Sequence, residues 1–153
     1  MPKIDYAAIQ TRYGSSYPGI LKNICNGCER KSIGEYAGLT QFGCNLTRLR
    51  PGAATSLRHW HENEDELVIV LEGEVVLIDD FGETILHPGE SAGFKASESN
   101  GHQLINRAKA DAILFEIGTR MDEETAHYSD EDLLYKLKEG EYRFSKRDGG
   151  EII

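Results

Sequence analysis

Between Thr40 and Gly118 the chain is punctuated by turn residues every 8–12 positions, and this cadence constrains its fold more than any other feature. The β-rich runs are Phe42–Arg50, Ser56–His61, Glu66–Glu72, Glu74–Asp79, Glu83–Leu86, Ser91–Phe94, His102–Asn106 and Ala112–Ile117. Pro51-Gly52, Gly73, Asp80-Phe81-Gly82 and Pro88-Gly89 stand between them. Glycine supplies positive φ and proline presets a turn, so each break has a local cause. Eight short strands in under 80 residues point to an antiparallel sandwich or barrel. In the run Glu66–Glu72, Val68 and Val70 share one face and Leu67, Ile69 and Leu71 the other. Period-two alternation with apolar residues on both faces predicts a strand buried on both sides. Val75–Ile78 reads the same way.

The flanks are different in texture. Residues 1–38 are polar and broken by Gly and Pro, and read as an irregular N-terminal arm with one helical turn over Ile4–Ile9. Residues 39–118 form the barrel. Residues 119–153 are a C-terminal extension packed on it. There, Ser129 with Asp132 three residues on resembles a capping box. It predicts a short helix through Lys138 with Leu133, Leu134 and Leu137 as its apolar stripe, followed by a terminal hairpin. A chain of 153 residues is long enough to bury a real core without staples.

Charge and cysteine content narrow the function. Seventeen basic against 26 acidic side chains give a formal charge of −9. That excludes the basic face a nucleic-acid binder needs and a polybasic contact with anionic lipid. The longest apolar run, Leu67 to Leu71, is far short of the ~20 residues that cross a bilayer. The N-terminus carries charge early and has no apolar leader, and three cysteines is an odd number; both fit reduced thiols in a cytoplasm. Cys25 and Cys28 make a CxxC, but Asn26-Gly27 reads as a turn, so plain thiols are expected, with a redox or metal role as the alternative.

The residues that carry chemistry begin at Arg58-His59-Trp60-His61. On a strand, positions i and i+2 share a face, so His59 and His61 project side by side with Trp60 behind them. Glu66 opens the next run, one acidic hairpin away. Two imidazoles and a carboxylate suit Zn, Fe, Mn, Ni or Co. A His-x-His pair is also common on exposed strand surface. Glu66 weighs for the metal, because a carboxylate opening the most apolar run needs a partner if buried.

At these residues the chain resembles the cupin superfamily. Gly52-x6-His59-x-His61-x4-Glu66-x6-Gly73 is similar to its first motif, with one more residue between Gly52 and His59 than the commonest spacing. Gly82-x5-Pro88-Gly89 followed by His102-x3-Asn106 is similar to the second. Gly38–Gly43, Leu71-Glu72-Gly73 and Gly101-His102 resemble small single-domain bacterial cupins of mostly unassigned function. The resemblance implies an all-β double-stranded β-helix, or jelly roll. It implies one divalent transition metal held by His59, His61, Glu66 and His102, and a homodimer paired through sheet edges and the arm.

Four protein ligands leave open positions on such a metal. The implied function is a metal-dependent enzyme acting on a small oxygen-rich molecule, of sugar isomerase, decarboxylase or dioxygenase type. Glu66 weighs against a thiol dioxygenase, which generally lacks that ligand. The alternative is a non-catalytic metal or small-ligand binding protein, such as a sensor. No residue beyond the ligands stands out as a general acid or base. Asn106 is expected to end its strand, Glu116 to be a rim charge, His87 to be solvated and His127 to lack a partner. Arg48 and Gln41 are placed near the barrel mouth.

Overall fold

The structure is a computed structural model that describes residues 3–152. Its strands are β1 (Thr11–Tyr13), β2 (Cys28–Ser32), β3 (Phe42–Leu49), β4 (His59–His61), β5 (Glu66–Glu72), β6 (Val75–Asp79), β7 (Gly82–Leu86), β8 (Ser91–Phe94), β9 (Gln103–Ile105), β10 (Ala112–Thr119), β11 (Glu124–Tyr128), β12 (Leu134–Lys138) and β13 (Glu141–Ser145). The eight runs read from sequence are β3 to β10. They pair antiparallel in three sheets, with orders β1-β2-β3-β10-β5-β8, β7-β6-β9 and β13-β12-β11-β4.

Alternation sets which side chains meet. On β3, Thr47 and Leu49 are buried while Arg48 is exposed. On β5, Val68 and Val70 point inward with Glu66, and on β10 Ala112 and Leu114 do so with Glu116. The main core gathers Leu49, Val68, Val70, Leu114 and, from the smaller sheet, Val75 and Leu104. A second cluster of Leu57, Ala126, Tyr128 and Leu133 packs beneath the four-stranded sheet. The β5–β6 turn requires glycine. Gly73 has φ +72°, and a Cβ there would lie 2.6 Å from the Asp111 carbonyl oxygen. The expectation that β5 is buried on both faces does not hold. Leu67 and Leu71, on the face opposite Val68 and Val70, are 39% and 38% exposed.

The flanks depart furthest from the sequence reading. Residues before Phe42 are more regular than an irregular arm. Asp5 caps a 3-10 turn over Tyr6–Ala8, and β1 and β2 extend the large sheet through pairs such as Cys28↔Leu49 and Ser32↔Asn45. The predicted helix from Ser129 to Lys138 is a strand instead. Leu134–Lys138 pairs with β11 on one side and β13 on the other. An isolated helix of ten residues is marginal in water, whereas two ladders satisfy the same backbone groups. The capping box is absent: the Ser129 N–H donates to the Arg58 carbonyl, and Asp132 accepts from the Arg147 N–H. The C-terminal hairpin turns at Glu139-Gly140, both with positive φ.

The CxxC belongs to the core. Cys25 and Cys28 are free and wholly buried. Burial pushes both thiols upward, Cys28 to about 12, so neither is a thiolate at neutral pH. Among the described residues no helix is long and apolar enough to cross a membrane.

Candidate metal centre

Three separate stretches of backbone meet at the inner end of β4. His59 and His61 lie on one face of that strand, and Trp60 on the other, stacked on His127 at 4.2 Å. Glu66 begins β5. His102 precedes β9 and forms an isolated bridge with His59: His59 N–H donates to the His102 carbonyl at 3.1 Å and His102 N–H to the His59 carbonyl at 2.9 Å. This backbone exchange places a residue 43 positions away beside the His pair. Phe94 stacks flat on the His102 ring at 3.5 Å and limits its rotation.

The side chains converge through one set of atoms. His59 Nε2 is 3.1 Å from His61 Nε2. Glu66 Oε1 is 3.5 Å from His61 Nε2, and Glu66 Oε2 is 3.7 Å from His59 Nε2 and 2.6 Å from His102 Nε2. His59 Nδ1 lies 2.8 Å from the Leu57 carbonyl. A carbonyl only accepts, so Nδ1 carries the proton and Nε2 turns a lone pair toward the cluster. Atoms that each bind one ion at about 2.0–2.2 Å lie roughly 3–3.5 Å from one another. His59, His61 and Glu66 have ligand atoms within 4.8 Å of one another, and His102 joins them through Glu66. Two imidazoles and a carboxylate at these distances could hold one divalent transition metal, with His102 beside them in contact with the carboxylate.

The electrostatics of the cluster are uneven. Burial pushes His59 down to about 4. Burial also opposes charge on His61, but Glu66 and Glu124 outweigh it and raise that histidine. Burial opposes charge on Glu66 too, yet its hydrogen bonds with His102 and His61 hold it well below the usual carboxylate range. Glu66 is thus an anion among imidazoles.

Glu124, which no sequence feature distinguished from its acidic surroundings, stands behind the cluster. It is 2% exposed. Its carboxylate accepts from the N–H groups of Glu62 (2.9 Å), Asn63 (3.0 Å) and Thr125 (2.8 Å). Its Oε1 lies 3.7 Å from His61 Nδ1, an atom without a hydrogen-bond partner among the described residues. A fixed carboxylate behind a ring nitrogen orients the imidazole and sets which nitrogen faces inward. The only signal in the sequence is parity: Glu124, Ala126 and Tyr128 alternate toward the core.

The other candidates divide. Glu116 is not a rim charge. It points inward and forms a two-bond pair with Arg30, at 3.0 and 3.2 Å. His127 does not lack a partner, for its Nε2 is 2.7 Å from Glu62 Oε1. Asn106 is fully buried and ties the loop after β9, donating to Leu49 and Ala110 carbonyls and accepting from the Ala108 N–H. His87 is exposed. Arg48 points outward toward Asp111, and neither it nor Gln41 lines the cavity. That cavity, of about 680 Å³, opens onto the His–Glu cluster. Its walls include Arg12 and Tyr17 from before β2 and Tyr135 and Phe144 from the C-terminal strands.

The fold and the site together define the class. The Cupin domain family profile matches residues 45–118. A sugar phosphate isomerase of the cupin superfamily from Silicibacter pomeroyi is 45% identical, over 99% of this chain and 97% of that one, with a TM-score of 0.96. The chain belongs to the cupin superfamily. A protein of Acidithiobacillus ferrooxidans to which sugar phosphate isomerase activity is provisionally ascribed is 25% identical, over 90% of each chain, with a TM-score of 0.75. A predicted oxalate decarboxylase of Thermotoga maritima shares the fold at 19% identity, over 78% of this chain and 99% of that one, with a TM-score of 0.61. No curated protein matches the chain.

Proposed function

We propose that the chain is a metal-dependent isomerase of a small phosphorylated sugar, with one divalent transition metal held by His59, His61, Glu66 and His102. The observation that carries the metal is the approach of His59 Nε2 to His61 Nε2 at 3.1 Å beside an anionic Glu66. With its Nδ1 proton committed to Leu57, His59 presents a bare lone pair there. The substrate class rests on the 45% identity to the Silicibacter pomeroyi protein along the whole chain.

Aldose–ketose isomerisation moves a proton between adjacent carbons and has no net redox change. A divalent metal supplies Lewis-acid polarisation of the substrate carbonyl. The chain then has to hold the substrate, keep water away and move the proton. Tyr128 and Phe144 supply aromatic wall to the cavity. Glu64 lines the same cavity, and one of its carboxylate oxygens lies within 4.8 Å of ligand atoms of His61 and Glu124. It accepts only the Met121 N–H and forms no ion pair among the described residues. In this reading Glu64 takes the proton from the hydroxyl-bearing carbon beside the carbonyl and returns it to the former carbonyl carbon, while the hydroxyl proton passes from one oxygen to the other. Arg30 locks Glu116 in an ion pair, which removes that carboxylate from the same role.

The homodimer belongs to the same reading. Leu67, Ile69 and Leu71 of β5 lie on the outward face beside Phe115 and Ile117 of β10 and Leu46 of β3, joined by register. A contiguous apolar face of this kind marks a contact surface.

The test is elemental analysis of purified protein, followed by turnover of aldose phosphates after loading with Mn, Fe, Co, Ni or Zn. Stoichiometric metal in the wild type, lost in His59→Ala and Glu66→Ala, supports the site, and retention by both variants refutes it. Turnover that disappears in Glu64→Gln while metal is retained supports the proton role. Tight binding without product under every metal points to the sensor instead.

A further inference from the structure

We infer that Arg12 and Arg120 form an anion subsite that receives the phosphate group of the substrate, two strands away from Glu66. This rests on the sugar phosphate reading above.

The arginines of this acidic chain are mostly spoken for. Arg30, Arg48, Arg50, Arg58 and Arg107 each face a carboxylate within 4.0 Å. Arg12 and Arg120 line the cavity, and neither forms an ion pair among the described residues. Arg30 also lines it, but Glu116 takes its Nε and Nη2, and the Thr55 carbonyl shares Nη2. Glu64 lines the same cavity, yet among the described residues no ion pair forms between it and Arg120 within 4.0 Å.

Arg12 is tied to β3 through Ser32, and the Arg120 guanidinium lies over the same strand. Arg12 Nη2 donates to Ser32 Oγ at 2.5 Å, and Ser32 Oγ donates to Asn45 Oδ1 at 3.1 Å. Arg120 lies across Gly43, where an added Cβ would overlap the guanidinium. Gly43 and Asn45 share a strand face and stand about 7 Å apart, so the two planar forks flank one patch. Such forks match the oxygens of a phosphate.

The register sets the distance to the metal cluster. Gly43 pairs with Gly118, and Gly118 with Glu66. At about 4.8 Å per strand this row spans roughly 10 Å. Its two glycines place no side chain between Arg120 and Glu66. A sugar phosphate whose carbonyl end reaches the cluster thus directs its phosphate toward the arginines.

The experiment titrates metal-stripped protein with inorganic phosphate, ribose 5-phosphate and ribose, by calorimetry and by the arginine Nε–H signals in NMR. Phosphate and ribose 5-phosphate are expected to bind and ribose not to bind. Arg12→Gln and Arg120→Gln should each weaken phosphate about tenfold or more, with unchanged circular dichroism and, before stripping, unchanged metal content. Gly43→Ala should weaken it through displacement of Arg120. Arg143→Gln, which changes net charge equally outside the cavity, should leave it unaltered. Wild-type apoprotein that binds no phosphate, or binding unchanged in both arginine variants, overturns the subsite. Arginine-dependent phosphate binding by a protein that never holds metal supports the subsite while refuting the isomerase reading.

Discussion

Replacing Glu124 by glutamine tests whether this buried carboxylate supports the His–Glu cluster. The substitution keeps shape and removes charge. The amide oxygen can occupy the Oε1 position and still accept from Glu62 and Thr125. The amide nitrogen then faces the Asn63 N–H at the former 3.0 Å contact, donor against donor. One charge-assisted bond is lost, two are weakened, and a donor is left unsatisfied, at a cost of about 2–4 kcal/mol. Because the Asn63 residue is partly open to water, the lower half of that range is expected. Urea denaturation of the metal-stripped protein measures it. The second effect concerns His61. Without the carboxylate 3.7 Å behind Nδ1, the ring loses the group that orients it, and metal affinity measured by chelator competition should fall about 10–100-fold. Glu123→Gln, its exposed neighbour, is the control. A loss of stability below about 1 kcal/mol together with unchanged metal affinity would refute the reasoning.

Alkaline pH should destabilise the protein through buried neutral groups. Cys28 rises from 9.0 to about 12 and Tyr17 from 10.0 to about 12, both mainly by burial. These groups are easier to ionise when unfolded, so their contribution is full below pH 9 and is lost as pH climbs from 9 to 12. Three units at Cys28 correspond to about 4 kcal/mol. Cys28→Ala should flatten that slope in denaturation curves at pH 8 to 11, and an unchanged slope would contradict the assignment. Light scattering at micromolar concentration should report a dimer, and Leu67→Asp with Leu71→Asp a monomer; a monomeric wild type would remove the pairing.

Local signals made the central strands legible. Gly and Pro breaks set β3 to β10 to within a few residues, because turn chemistry acts over four residues and needs no distant partner. The face shared by His59 and His61 follows from the two-residue period alone. The spacing to Glu66 reads as a single hairpin, but the structure corrects this: β4 pairs with β11 and β5 with β10 and β8, so the segment 62–65 crosses between two sheets.

The remaining features needed distant pairing. Nothing local in Leu134–Lys138 opposes a helix; it is a strand because β11 and β13 lie on either side. His102 reaches His59 only through a backbone bridge across 43 residues. Glu124, Glu116 and the guanidinium groups of Arg12 and Arg120 acquire their environments from strands far away in the chain. The sequence determines which residues alternate, turn and ligate, since those properties are carried by neighbours along the backbone. Tertiary structure alone decides which buried charge faces which partner, because burial and through-space distance are created by packing.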